Sequence, residues 1–186
     1  SFRKAGWFTS QDRDWGKLHC AGTDAQRMQY GWLPTETQTD SVEIYNDGRH
    51  VDVVICDDPV SFDCEEWKAP GGGRDRFQMY DWYTELNQYI SSIDDDGVSI
   101  PSAPYSNYFT NATNTTSHGT HVCGTAAGQW YGWAPEANIY SMQVLGNAAN
   151  QGTAVPTLLI FDYLRAFHRN KPINLETGSR NPTITN

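Results

Sequence analysis

The run Val51-Asp52-Val53-Val54-Ile55-Cys56 is nearly continuous in β-branched and apolar residues, and it stops at Asp57-Asp58-Pro59. A strand with one wet face alternates apolar and polar residues. A run without that alternation reads as a strand covered on both faces, as in the interior of a parallel sheet. This segment constrains the chain to an architecture with layers on both sides of a sheet. Asn138-Ile139-Tyr140-Ser141-Met142-Gln143-Val144-Leu145 alternates and reads as a second strand. Ser117 to Gly128 is rich in small residues, lacks proline, and reads as a helix packed closely on a neighbour. Pro156 opens a further helix, with Leu159, Tyr163 and Phe167 recurring every four residues and Ile160 and Leu164 beside them. Thr183 to Asn186 starts a third strand. Strands alternating with helices predict an α/β fold, a mostly parallel sheet with helices on both faces.

The remaining segments are less ordered in pattern. Residues 1–50 carry Trp7, Trp15 and Trp32 without a sustained period, and read as short pieces packed by aromatics on the domain of residues 51–186. Residues 60–116 form a long polar stretch that reads as an insertion or surface loop. It holds Pro70-Gly71-Gly72-Gly73, the acidic run Asp94-Asp95-Asp96-Gly97 and a Ser/Asn/Thr-rich run from Ser102 to Ser117. Within it, Tyr80 to Ile90 reads as a short helix, with Leu86 and Ile90 four apart.

Composition excludes several classes. Hydrophobic residues make up 38% of 186 and aromatics 13%, too apolar and too low in charge for a disordered chain. No apolar run approaches the roughly 20 residues of a membrane-spanning helix, so no membrane partner is expected. The net charge is −9, and no basic cluster marks a nucleic-acid surface. The acidity favours a cation-binding or extracellular setting. Cys20, Cys56, Cys64 and Cys123 show no C-x-x-C spacing, which argues against a structural zinc site; they allow two disulfides without requiring them. The chain begins Ser1-Phe2-Arg3-Lys4 and ends where a strand is starting, so a trimmed chain is expected.

Three motifs then carry the chemistry. His118-Gly119-Thr120-His121-Val122-Cys123-Gly124-Thr125 resembles the active-site histidine motif of the subtilisin family. Gly132-Trp133-Ala134-Pro135-Glu136-Ala137-Asn138 resembles that family's G-V-A-P-x-A turn, and Val144-Leu145 the end of its next strand. Upstream, Val53-Val54-Ile55-Cys56-Asp57 resembles the strand that delivers the catalytic aspartate. The resemblance implies a subtilisin-like α/β fold, incomplete in this chain, and a serine endopeptidase. Asp57 and His118 would be two members of its Asp-His-Ser triad. Chemistry supports those roles: a serine hydroxyl needs an imidazole to take its proton, and the imidazole needs a carboxylate to fix its tautomer. An aspartate at the end of a central parallel strand lies at the carboxyl edge, where such folds place their sites.

Each assignment has a plainer competitor. Asp52, near the start of the strand, reads as a solvated or edge residue, and Asp58, one step past its end, points to the other face. The family's usual small residue and glycine after the aspartate are replaced by Asp58-Pro59, so the local turn differs. By resemblance His121 is a structural second histidine. Cys123 stands at a place that proteinase K-like members also fill with cysteine; it reads as a small buried hydrophobe or as a thiol sensitive to mercury. The segment Ala148, Ala149, Asn150, Gln151 and Gly152 corresponds to the family's substrate-pairing segment, and also reads as a plain loop.

Triad chemistry requires no cofactor. Calcium as a structural ion is admitted by Asp63, Glu65, Glu66 and the Asp94–Asp96 run, though without EF-hand spacing, and a solvated acidic loop reads as well. Asn111-Ala112-Thr113 and Asn114-Thr115-Thr116 are N-glycosylation sequons. The family's serine motif, G-T-S-x-A, does not occur in these residues. The partners implied are a peptide or protein substrate and the remainder of the catalytic domain after Asn186, in an extracellular or virion-associated setting. The competing reading is a catalytically silent subtilase-like module in a larger assembly, such as a virus particle or secreted complex. A metal hydrolase using His118 and His121 is a third reading, with no third ligand placed.

Overall fold

The computed structural model describes residues 7–8, 42–43, 46–90, 97, 118–145 and 154–186. Two short strands, β1 (Trp7–Phe8) and β2 (Val42–Glu43), pair antiparallel. Among the described residues the main sheet has four strands: β3 (Asp52–Asp57), β4 (Phe77–Met79), β5 (Asn138–Gln143) and β6 (Thr183–Thr185), in the order β4-β5-β3-β6. Every pairing in it is parallel: β3 with β5, β3 with β6, and β4 with β5. Among the described residues the helices are α1 (Trp82–Leu86), α2 (His118–Ala127) and α3 (Thr157–Asn170), with single 3-10 turns at Glu65–Trp67 and Asn87–Tyr89.

The two-faced burial expected of β3 is observed, and it divides the core. Val53 and Ile55 point to one side, where they pack with Cys123 and Ala127 of α2 and with Ile139, Val60 and Trp67. Val54 points to the other, toward Trp82 and Leu86 of α1, Leu159, Tyr163 and Phe167 of α3, and Met142. Burying one such side chain contributes about 1.5–3 kcal/mol, so both helical layers are held by the one strand they share. The four-residue stripe of α3 is its buried face, while Leu158 and Phe161 stay exposed. In α2, Gly119, Cys123 and Ala127 recur every four residues as the buried face, which lets that helix lie close to β3.

Two expectations are corrected. The polar stretch 60–116 is not irregular throughout, because Phe77–Met79 is the edge strand β4. Its three residues are too few for a periodic signal. They are fixed instead by the buried guanidinium of Arg76, which donates to the carbonyls of Lys68, Ala137, Glu66 and Ala127. The turn before it closes with Ala69 N–H on the Arg74 carbonyl, and Gly71, Gly72 and Gly73 all take positive φ, which glycine adopts without steric cost.

Asp52 is buried rather than solvated. Its Oδ2 accepts from Lys171 Nζ at 2.8 Å, and its Oδ1 from Nδ2 of Asn138 at 2.7 Å and of Asn181 at 2.9 Å. A carboxylate inside a core must be paired and hydrogen-bonded; these partners lie far along the chain, where a local pattern cannot place them.

Candidate active site

Asp57 is the last residue of β3, level with Gln143 at the end of β5. Its carbonyl accepts from the N–H groups of Val144 at 2.9 Å and Leu145 at 3.3 Å, so the strand end is clamped to the segment that leaves β5. Trp82 Nε1 adds a bond to the Gln143 carbonyl at 3.0 Å. The Asp57 side chain is therefore delivered to the carboxyl edge of the sheet by hydrogen-bonded backbone.

His118 opens α2, and both carboxylate oxygens of Asp57 lie 2.9 Å from its Nδ1. An ionised carboxylate only accepts, so Nδ1 carries the hydrogen, and in the neutral ring Nε2 keeps its lone pair. The exposures are unequal: the His118 side chain is 74% exposed and that of Asp57 is 8%. Nε2 is thus open to a reactant, while the carboxylate behind it is shielded. The hydrogen bond to Asp57 raises the His118 pKa above its ordinary value. The charge of Asp57 adds to this, slight burial opposes it, and the charge of Asp58 adds again. The arrangement is an imidazole made more basic and aimed outward, which can take a proton from an acid placed beside it.

The helix start must come very close to the strand end for this pair to form. A Cβ on Gly119 would collide with the Asp58 carbonyl, lie 2.8 Å from Asp58 Oδ1 and 3.2 Å from Asp57 Cβ. Glycine at this position is what the approach requires. Asp58 does not simply turn away to the other face: its Oδ1 accepts the Gly119 N–H at 2.6 Å, a bond between residues 61 apart that has no local sequence signal.

The other candidates fall as follows. His121 is exposed on α2, away from the Asp57 carboxylate bonds. Cys123 is fully buried in the core between α2 and β3, where burial pushes its thiol pKa well up, as expected of a structural cysteine. Cys56, Cys64 and Cys123 are free thiols, and Cys20 lies outside the described residues. Ala148, Ala149, Asn150, Gln151 and Gly152 also lie outside them. The Asp94–Asp96 run and both sequons are likewise outside. Among the described residues, no three His, Cys, Asp or Glu side chains are grouped to hold a metal ion, so the metal-hydrolase reading finds no third ligand there. Glu66 instead accepts the Trp130 N–H at 3.2 Å.

A parallel α/β sheet with an Asp–His pair at its carboxyl edge defines the class of protein. The sequence comparison narrows it: residues 48–160, more than half of the chain, match the model of the subtilase family, peptidase S8, and the chain belongs to that family. A solved structure described as a cold-adapted subtilisin-like serine proteinase is similar at 22% identity with a TM-score of 0.44. That similarity covers 82% of this chain, which spans 40% of the length of that proteinase.

Proposed function

We propose that these residues form part of a serine endopeptidase in which Asp57 orients His118 as general base for a serine lying outside the 186 residues. The observation that carries the reading is the Asp57–His118 pair, with Nδ1 bonded to a shielded carboxylate and Nε2 left open. Membership of the subtilase family supports it.

The steps follow from the proton inventory. Nε2 accepts the serine Oγ proton as Oγ attacks the scissile carbonyl, and the imidazolium is stabilised by the carboxylate on Nδ1. His118 then returns the proton to the departing amine. Water repeats the cycle on the acyl-enzyme. No cofactor enters these steps, and calcium would serve only as a structural ion. Ala148 to Gly152 would pair with an extended peptide as an added strand.

The test uses the longest form of the protein that carries these residues. A fluorophosphonate probe should label one serine, His118→Ala should abolish labelling, and Asp57→Asn should slow it by orders of magnitude. An unlabelled wild-type protein that cleaves no peptide would sink the reading and leave the silent structural module in its place.

A further inference from the structure

Asp58 stands where the subtilisin resemblance leads one to expect a small residue, and it bonds to both sides of the Asp57–His118 pair. Its Oδ1 accepts the N–H of Gly119, the residue after His118, at 2.6 Å. Its own N–H donates to Asp57 Oδ1 at 2.7 Å. A second link lies beside the first: Ser61 N–H donates to Thr120 Oγ1 at 2.8 Å. The loop after β3 and the first turn of α2 are therefore joined by two side-chain-to-backbone bonds running in opposite directions.

Within a single helix, such reciprocal bonds make a capping box; here the same device connects segments about 60 residues apart. The first N–H groups of a helix have no partner inside it. A carboxylate is their strongest acceptor and is favoured by the positive end of the helix dipole. A neutral serine or threonine after Asp57 could make the bond but would bring no charge.

We propose that Asp58 is a positioning residue for His118: it caps the helix that presents the imidazole, holds Asp57 through its own N–H, and sets a second negative charge beside the pair. This rests on the proposed general-base role only for its catalytic consequence. The capping and the charge effect stand without it. The catalytic consequence is a shift in the acid limb of kcat/KM, because the neutral imidazole is the base and a nearby negative charge favours the protonated form.

The experiment is a titration of the His118 ring protons by NMR on the longest form of the protein, with amide exchange at Gly119 and Tm alongside, for Asp58→Asn, Asp58→Ala and Asp57→Asn. Asp58→Asn keeps an oxygen for Gly119 and removes the charge. It should lower the His118 midpoint with little change in Tm or in Gly119 protection. Asp58→Ala should lower the midpoint likewise, and should also lower Tm and speed Gly119 exchange. In an active enzyme, the acid limb for Asp58→Asn should move to lower pH. An unmoved His118 midpoint in both Asp58 variants, with Gly119 protection unchanged in Asp58→Ala, would overturn the proposal. If Asp57→Asn leaves the midpoint in place while Asp58→Asn lowers it, the Asp57–His118 pairing fails and the positioning role stands.

Discussion

The ammonium of Lys171, one residue past the end of α3, lies 2.8 Å from Oδ2 of Asp52 at the start of β3, and both side chains are at least nine-tenths buried. The same ammonium donates to Thr183 Oγ1 at 2.6 Å, so one pair ties the starts of β3 and β6 to the end of α3. Removing one partner of a buried pair costs about 3–5 kcal/mol, because the other charge is left unmatched. Lys171→Met should lower the unfolding free energy by that order, read as a lower urea midpoint at unchanged m. The double variant with Asp52→Asn should recover a large part of the loss. Strict additivity of the two single changes would show that the pair is not coupled.

Arg76 poses the complementary case, a buried cation among carbonyls. Its Nη2 lies 2.7 Å from the Ala127 carbonyl and 2.9 Å from that of Glu66, its Nη1 2.9 Å from that of Ala137, and burial is the first cause lowering its pKa. A lysine has three donors on a flexible stem and cannot reproduce the planar fork. Arg76→Lys should therefore destabilise by about 1–3 kcal/mol through carbonyls left without donors, and Arg76→Met by at least as much. Chemical denaturation followed by tryptophan fluorescence would measure both.

The contrast between β3 and β4 shows which elements a sequence declares. Val53, Val54 and Ile55 declare a doubly buried strand, because a short β-branched run apolar at every position leaves no face for water. Leu159, Tyr163 and Phe167 declare a helix by their period. Phe77 and Met79 declare nothing, since two residues cannot establish a period and what fixes them is Arg76 beside them. The same division holds at the site. Asp57 and His118 are legible through motifs, each written in adjacent residues. The bond from Asp58 to Gly119 is not, because long-range side-chain-to-backbone contacts leave no mark on local pattern. Asp52 passes for a solvated residue on the same ground, its cation lying 119 residues away.

Cys123 tests the division between reactive and structural thiols. It is fully buried in the α2 face of the core, and burial holds its proton on, so the nucleophilic thiolate is scarce. Cys64 is only half-buried. Brief iodoacetamide treatment of the native protein should alkylate Cys64 well before Cys123, with Cys123 reacting fully only in denaturant. Peptide mapping by mass spectrometry reads both sites at once.

Gly119 and Gly124 are in the same helix and should respond oppositely to alanine. A Cβ at Gly124 meets nothing within 4 Å, so Gly124→Ala should stabilise by up to about 1 kcal/mol through helix propensity alone. At Gly119 the same methyl runs into the Asp58 backbone carbonyl and lies 3.2 Å from Asp57 Cβ. Gly119→Ala should lose stability despite its better propensity, and should lower the His118 titration midpoint as Asp57 is pushed away. Equal Tm changes for the two variants would remove the case for close approach.

The raised basicity of His118 also fixes the sign of a pH effect. In the folded protein the imidazole holds its proton more tightly than the ordinary value of about 6.5, because of the hydrogen bond and charge of Asp57. A proton held more tightly when folded stabilises the fold, fully so below the unfolded pKa, and the gain disappears as pH rises through the folded pKa. Wild type should therefore exceed Asp57→Asn in stability most clearly below about pH 6.5, and the gap should narrow as pH rises through the raised His118 pKa. Because the ring is largely exposed, added salt should shrink the difference. On the proposed general-base role, activity runs the other way: kcat/KM should fall as pH drops through the His118 pKa, since the protonated ring cannot act as base. Parallel denaturation and rate profiles over about pH 5–9 would test both signs, and a stability gap that widened toward alkaline pH would contradict the pairing.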